Sequence, residues 1–534
     1  MKKTFKGIAA FAVVLAFFSF CATSQEAEQV PAAEARTEEP APAPAETEKP
    51  AKAKKAKKEK KAKEKKQKPP KEKKAKKEKP KKEKPVKEPK KTKFNQSAYD
   101  AAFEKGDYAT CVGMLYGRGD KKDYVRDLID ADMLIYLSEN YQGAGKAFLD
   151  TYAKMQLMNS DMSAGEATKA ALSSETSTKY SGAEYERYLV WSMRLASALN
   201  TNQTDVANGI MKDYVGTFMA EIQELRRKNA EMEAESEKQL EGDEFRNAQD
   251  KLASEGVSMT FSEKPAKSGV KYENSPFFNY LGTIAYAASG DFDHAEEFGA
   301  VYKVPQAKDI TQIPSGMGRV EIVALSGMIG RRADAGEGKA AQAVYLPIPD
   351  LNMHIPLYTK VAYPVFDPAA QKHLIKSVRV SLSDGSSARA ELIEDFDTAV
   401  EIDVAQKAPG AYSRSVFRNV VKNSIVSASV VAAGIALKQA SSASAIAGIV
   451  AQVAFNASVD AAANAVANKE HADTRQAYYF PNKASAAGFN VAPGTYSATV
   501  EYLDGAGNLV GTKTIENIAV KAGEITARVS SCEK

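Results

Sequence analysis

Four histidines, His294, His354, His373 and His471, are the scarce polar groups that could carry acid–base or metal chemistry here. None makes a metal-ligand set with another histidine, a cysteine or a carboxylate at ligating spacing. No HExxH run occurs, so no zinc centre is expected. No Gly-x-Ser-x-Gly elbow is present to raise a serine nucleophile on a strained turn. Gly336-Glu337-Gly338-Lys339 has the look of a phosphate loop. Its first glycine is missing at the required distance, and Ala340 stands where Ser or Thr would hold magnesium, so a plain loop is expected. Cys111 and Cys532 could bridge in an oxidising compartment. Cys111, however, falls on a buried helical position, which favours a free thiol. The expectation is a chain with no catalytic, cofactor or metal residues, and no enzyme.

One further cysteine has a different chemistry in reach. Lys2, Lys3 and Lys6 precede an apolar run from Ile8 to Phe20, too short for a bilayer span and suited to a secretory signal. Cys21 at its end is a candidate for lipidation as the first mature residue. Ala22 and Ser24 offer the alternative of ordinary cleavage before Gln25, so residues 1–24 hold the signal, lipoprotein-type or ordinary.

Residues 25–93 cannot bury a core. Gln25 to Pro50 is rich in Ala, Glu and Pro and carries a net charge of −5, whereas Lys52 to Lys93 holds 24 Lys and six Glu, net +18. With almost no apolar side chain beyond alanine, the segment is expected to be a disordered spacer. Fully extended, its 69 residues reach at most about 230 Å. The Lys-rich arm suits anionic lipid or cell-wall polymer, and on an exported chain no nucleic acid is expected. The remaining residues 94–534 carry 44 Lys+Arg against 55 Asp+Glu, net −11. The chain thus joins a basic arm to an acidic body.

Residues 94–305 read as helices. Ser275-Pro276 is a helix start. Phe277, Leu281, Ile284, Ala285 and Ala288 follow on one face, Gly290-Asp291 breaks the helix, and Phe292, Ala295 and Phe298 open another. Gly106-Asp107-Tyr108 repeats the pattern. Tyr141 with Ala144 is a weaker copy, and Trp191 to Ile210 the faintest, with Asp205-Val206 in its turn. This helix–turn–helix grammar is similar to a tetratricopeptide repeat, in which Ala lets helices approach and the aromatic fills the gap. Met219 to Glu241 reads as a long charged helix.

From residue 306 the period changes to strands. Arg319–Leu325, Ala341–Ile348 and His354–Val365 are rich in Val, Ile and Tyr, and Asp384-Gly385 marks a hairpin between Ser377–Leu382 and Ala388–Leu392. Tyr496 to Tyr502 alternates apolar with polar. The expected α+β multidomain architecture has β-rich residues 306–412, an Ala-rich helical hairpin at 413–468, and a sandwich completed by 469–534 with an immunoglobulin-like topology. Gln452, Asn456, Asp460 and Asn464 form one polar stripe on the second hairpin helix. Packing on the protein and contact with a membrane both remain open for this hairpin.

Asn274 to Phe298, Tyr345-Leu346-Pro347-Ile348-Pro349 with Val361 to Phe366, and Ala472-Asp473-Thr474-Arg475 before Pro481 together resemble a family of bacterial tetratricopeptide-containing envelope lipoproteins. This family often has Trp after Arg475, where this chain has Gln476-Ala477-Tyr478. The resemblance supplies no activity. It implies an exported scaffold, anchored by lipid at the outer membrane and facing the periplasm or the surface, that binds envelope proteins or peptides through its helical repeats. Membrane or cell-wall binding through arm and hairpin is the alternative. Asp473 and Arg475 are expected to pair and tie the hairpin exit to the sandwich.

Overall fold

Helices make up most of the described first half of the chain. They are α1 (Gln96–Glu104), α2 (Tyr108–Gly117), α3 (Tyr124–Leu137), α4 (Tyr141–Ser160), α5 (Glu184–Asn200), α6 (Thr204–Asp213), α7 (Met219–Glu241), α8 (Asp243–Ser254), α9 (Pro276–Ala288), α10 (Phe292–Val301) and α11 (Ala307–Thr311). The computed structural model describes residues 94–118, 123–160, 174–371, 373–467 and 470–534. The signal, Cys21 and the whole of 25–93 lie outside the described residues.

Four helix pairs share one turn. α1–α2, α3–α4, α5–α6 and α9–α10 each pass through a residue of positive φ: Gly106, Glu139, Asn202 and Gly290. The next residue then opens the following helix. The side chains of Asp107, Asn140 and Asp291 accept from the main-chain N–H of Thr110, Gly143 and His294 at 3.1, 3.1 and 3.3 Å. This satisfies N–H groups that a helix start leaves orphaned. The turn after α5 lies at Thr201–Gln203, so Asp205 and Val206 sit inside α6 and not in the turn. The error arose because Asn202 takes the left-handed position that glycine usually marks.

At Gly290 (φ +83) a Cβ would meet nothing within 4 Å, so any penalty there is backbone alone. Gly290→Ala is expected to cost about 1–2 kcal/mol, read as a lowered midpoint in thermal unfolding. An unchanged midpoint would show that the turn tolerates other conformations.

Ala144 and Ala295 are fully buried where helices meet, and Tyr141 rests on Tyr136 with ring centroids 5.0 Å apart. At the centre of the helical core Trp191 meets Tyr152 at 5.2 Å and Phe218 at 5.0 Å. A π-helical turn, Tyr214–Phe218, carries α6 into α7 and directs both of its aromatics into that cluster.

The strands are β1 (Gly318–Ser326), β2 (Arg331–Asp334), β3 (Gln342–Ile348), β4 (Met353–Thr359), β5 (Pro364–Asp367), β6 (Ser377–Leu382), β7 (Ser387–Arg389), β8 (Glu391–Asp395), β9 (Lys483–Val491), β10 (Gly494–Leu503), β11 (Leu509–Val520) and β12 (Ile525–Cys532). Two four-stranded sheets, ordered β12-β1-β9-β8 and β11-β10-β6-β7, face one another across Ile322, Val380, Phe489, Val500 and Tyr502. β1 runs parallel to β12 and antiparallel to β9. Every residue of β1 is buried. Its Val320 and Ile322 face the second sheet, while Val323 and Leu325 join the helical core. A strand covered on both sides is chiefly apolar, and the two charged residues of β1, Arg319 and Glu321, pair with each other at 2.6 Å. Two short ribbons, β2–β5 and β3–β4, stand beside these sheets.

Three boundaries differ from the sequence reading. The expected hairpin partner of β6 is only the short β7, after which the chain crosses at Ala390 into the other sheet as β8. The β-rich stretch from 306 begins with α11 and ends at Asp395, because α12 (Phe396–Ala443) starts well before Ser413. Pro409 lies inside this helix. A proline within a helix removes one hydrogen bond, yet α12 continues through it, with Pro409, Gly410 and Ala411 all buried against neighbours. β9 was not foreseen at all. Its Lys-Ala-Ser-Ala-Ala-Gly sequence has low strand propensity, and its place between β1 and β8 decides its conformation. α13 (Ala445–Ala467) follows α12, and the two pack together as a hairpin.

Candidate functional site

Four stretches wall most of a cleft of about 950 Å3: residues 178–185 leading into α5, the length of α7, the first half of α12, and Lys267 with Lys271 to Asn274. α7 is held to this position by a buried stripe, Ile222 and Leu225, while its other faces are charged. Apolar groups such as Leu225, Met232, Tyr272, Ile402 and Ala411 share the walls with ion pairs.

Those ion pairs are well tied. Arg226 binds Glu184 through Nε at 3.0 Å and also donates to the carbonyls of Tyr272 and Glu273 at 2.9 and 2.8 Å. Arg332 reaches Asp403 at 2.5 Å, and Lys407 reaches the same carboxylate at 2.8 Å. Burial alone would push the Asp403 carboxyl up, but Lys407 and Arg332 outweigh it and hold it below the usual range. Arg414 forks onto Glu175 at 2.9 and 2.8 Å, and Arg418 holds Glu175 at 2.9 Å and Glu470 at 2.8 Å. Burial opposes ionisation of Glu175 too, yet Arg414 and then Arg418 keep its carboxyl low.

Residues 257–274, which form neither helix nor strand, run across the seam between α7 and α12. Lys264 and Lys267 meet Glu237 and Glu233 of α7 at 2.8 and 2.6 Å. From α12, Gln406 Nε2 donates to the carbonyls of Ser268 and Val270 at 2.7 and 2.6 Å, and the Tyr412 hydroxyl donates to that of Ser262. α7 therefore holds this non-helical stretch by side-chain ion pairs and α12 holds it through main-chain carbonyls.

Asp473 and Arg475 form a bidentate pair, both contacts 2.8 Å. Its anchor is the helical half and not the sheets: Arg475 donates to the Thr178 carbonyl at 2.8 Å and approaches Asp123 at 3.5 Å. The residues that follow continue the joint. Gln476 bonds Arg332 N and the Gly330 carbonyl, and Asp130 of α3 accepts from Tyr478 N at 2.6 Å and Tyr479 N at 3.3 Å. Cys111 and Cys532 are both free, buried thiols. His294 pairs with Asp291 at 2.8 Å in the turn before α10, and His373 lies 3.0 Å from Asp397. Among the described residues no group of three His, Cys, Asp or Glu is placed to hold a metal. Gly336 to Lys339 is a turn after β2 closed by Asp334, whose carboxylate accepts from Gly336 N at 2.8 Å.

The packing residues Gly106, Tyr108, Tyr141, Ala144, Gly290, Phe292 and Ala295 all fall in or beside the helix-pair turns, away from the cleft. The cleft went unseen in the sequence because α12, which closes it, begins more than a hundred residues after α7. Comparison with family models, curated proteins and solved structures returns no match.

Proposed function

We propose that this protein is an exported, lipid-anchored envelope scaffold whose helical half takes an extended segment of a partner protein in the cleft between α7 and α12. One observation carries the reading. The seam beside the cleft already holds residues 257–274 by contacts to main-chain carbonyls, a mode of recognition that tolerates many sequences. Paired charges and apolar patches along the cleft suit a polypeptide of mixed composition better than one concentrated ionic ligand. Tetratricopeptide-like and immunoglobulin-like readings of the two halves belong to the same proposal, supported by the four helix pairs with one turn device and by the two facing sheets. The signal, with lipid at Cys21, would tether the body at the outer membrane, and the Lys52 to Lys93 arm would rest on anionic lipid or wall polymer. On this reading the protein is an adaptor without catalysis.

Ala230 is an exposed wall residue of the cleft. Ala230→Trp is expected to abolish recovery of a stoichiometric envelope partner with no change in the melting curve. If recovery is unaffected, or no stoichiometric partner exists, the adaptor reading fails.

A further inference from the structure

The inner face of the α12–α13 hairpin is anchored and its outer face is bare. Val430, Leu437 and Phe455 are buried in one cluster with Leu346, Ile348, Ile355 and Leu357 of the β3–β4 ribbon. On the outside of α13, Ile446, Ile449, Val450 and Val453 recur at i, i+3, i+4 and i+7, exposed by 78, 65, 56 and 65%. That spacing places four branched side chains in one stripe over two turns. α12 adds Ile425 and Ile435, both exposed. An exposed apolar stripe of this regularity marks a place where something else is buried.

The polar groups nearby are already partnered within the hairpin. Ser441 and Ser442 donate to the carbonyls of Leu437 and Gln439, each at 2.8 Å, and Ser458 to that of Ala454 at 2.9 Å. Ser444 accepts from Ala447 N at 3.1 Å, and Gln452 donates to Asn456 at 2.9 Å. From Gln439 to Val459 there is no Asp, Glu, Lys or Arg. A surface that satisfies its own hydrogen bonds and carries no charge loses little on entering hydrocarbon.

We propose that this α13 face inserts into the acyl boundary of an anionic bilayer. The inference goes beyond the adaptor reading and does not depend on the cleft. Charge complementarity selects the occupant. The same chain bears an arm of net +18, attracted to acidic head groups, and interfacial anchoring becomes stable when such a basic segment joins an apolar one. A second copy of this chain would bring the same arm and would meet only a stripe two turns long, whereas stable pairs bury about 800 Å2 per partner. The insertion is shallow. Ile446 to Val453 spans about 10 Å along the helix, and the apolar window of α12 that could otherwise cross a membrane is 44% buried in the protein.

The test uses the full chain from residue 22, without lipid, carrying Ala457→Cys labelled with an environment-sensitive fluorophore. Vesicles of phosphatidylglycerol and phosphatidylcholine should shift its emission to the blue, with quenching by acyl-chain quenchers. The quadruple variant I446S/I449S/V450S/V453S should lose at least tenfold in apparent vesicle affinity at high salt and keep its melting temperature. Emission that stays water-like on vesicle-bound protein would overturn the proposal, and so would equal insertion by the quadruple variant. A variant that changes the chain's sedimenting mass while vesicle binding is untouched would overturn it in favour of self-association.

Discussion

Replacing Arg418 with methionine is expected to destabilise the folded body by about 3–5 kcal/mol, the range found when one member of a buried ion pair is removed. Arg418 has no exposed surface and joins Glu175 to Glu470, with side chains 8 and 2% exposed. Without it, two carboxylates face each other out of water. Arg414 still covers one of them, at 2.8 Å, and Lys422 reaches the other only at 3.6 Å. The triple variant R418M/E175Q/E470Q should recover part of the loss, since it removes the stranded charges. Urea midpoints of the two variants decide the matter. An unchanged midpoint in R418M, or a triple variant no better than the single one, would show that the network contributes little.

Raising the pH from about 4 to about 7 is expected to weaken the fold. Burial, ahead of every other influence, pushes the carboxyls of Asp130, Asp132 and Glu394 up to about 7. Their unfolded values lie near 4, so over this interval the native state binds more protons than the unfolded chain. Stability must then fall as pH rises from about 4 to about 7, and level off above. Full titration of each carboxyl costs the fold on the order of 3–4 kcal/mol. Glu175 and Asp403, held low by their arginine and lysine partners, act in the opposite sense and weaken the fold only in stronger acid. Melting temperatures measured from pH 5 to pH 8.5 should decline up to about pH 7 and then level off, and Asp130→Asn should flatten the decline. A flat or rising profile would mean these groups are ionised without penalty.

Much of the helical half was readable because its signals are local. Ser275 before Pro276, and Asp107 and Asp291 after their glycines, act within one turn of the chain. Asn202 hid the turn after α5 by adopting a backbone conformation that its residue type seldom announces, while the turn at Glu139 showed only through Tyr141 and Ala144. The alternation of Tyr496 to Tyr502 was likewise legible, because one face of β10 meets the core and the other is less covered. β9 was not, since burial between two strands supplies what its alanines lack. Site geometry was the least accessible part. Arg418 and Glu175 stand 243 positions apart, and Arg475 and Thr178 297. No window of sequence records such meetings, so Asp473 and Arg475 could be paired on paper while their true anchor, the helical half, could not be named.

The parallel union of β1 with β12 has a temporal consequence. Arg319 aligns with Ile525, and Asn200 of α5 holds Val529 through both its amide groups. Neither the first sheet nor its seal against the helices can close until the final strand has been delivered. A chain appearing N-terminus first would therefore keep this sheet unsealed until β12 had emerged.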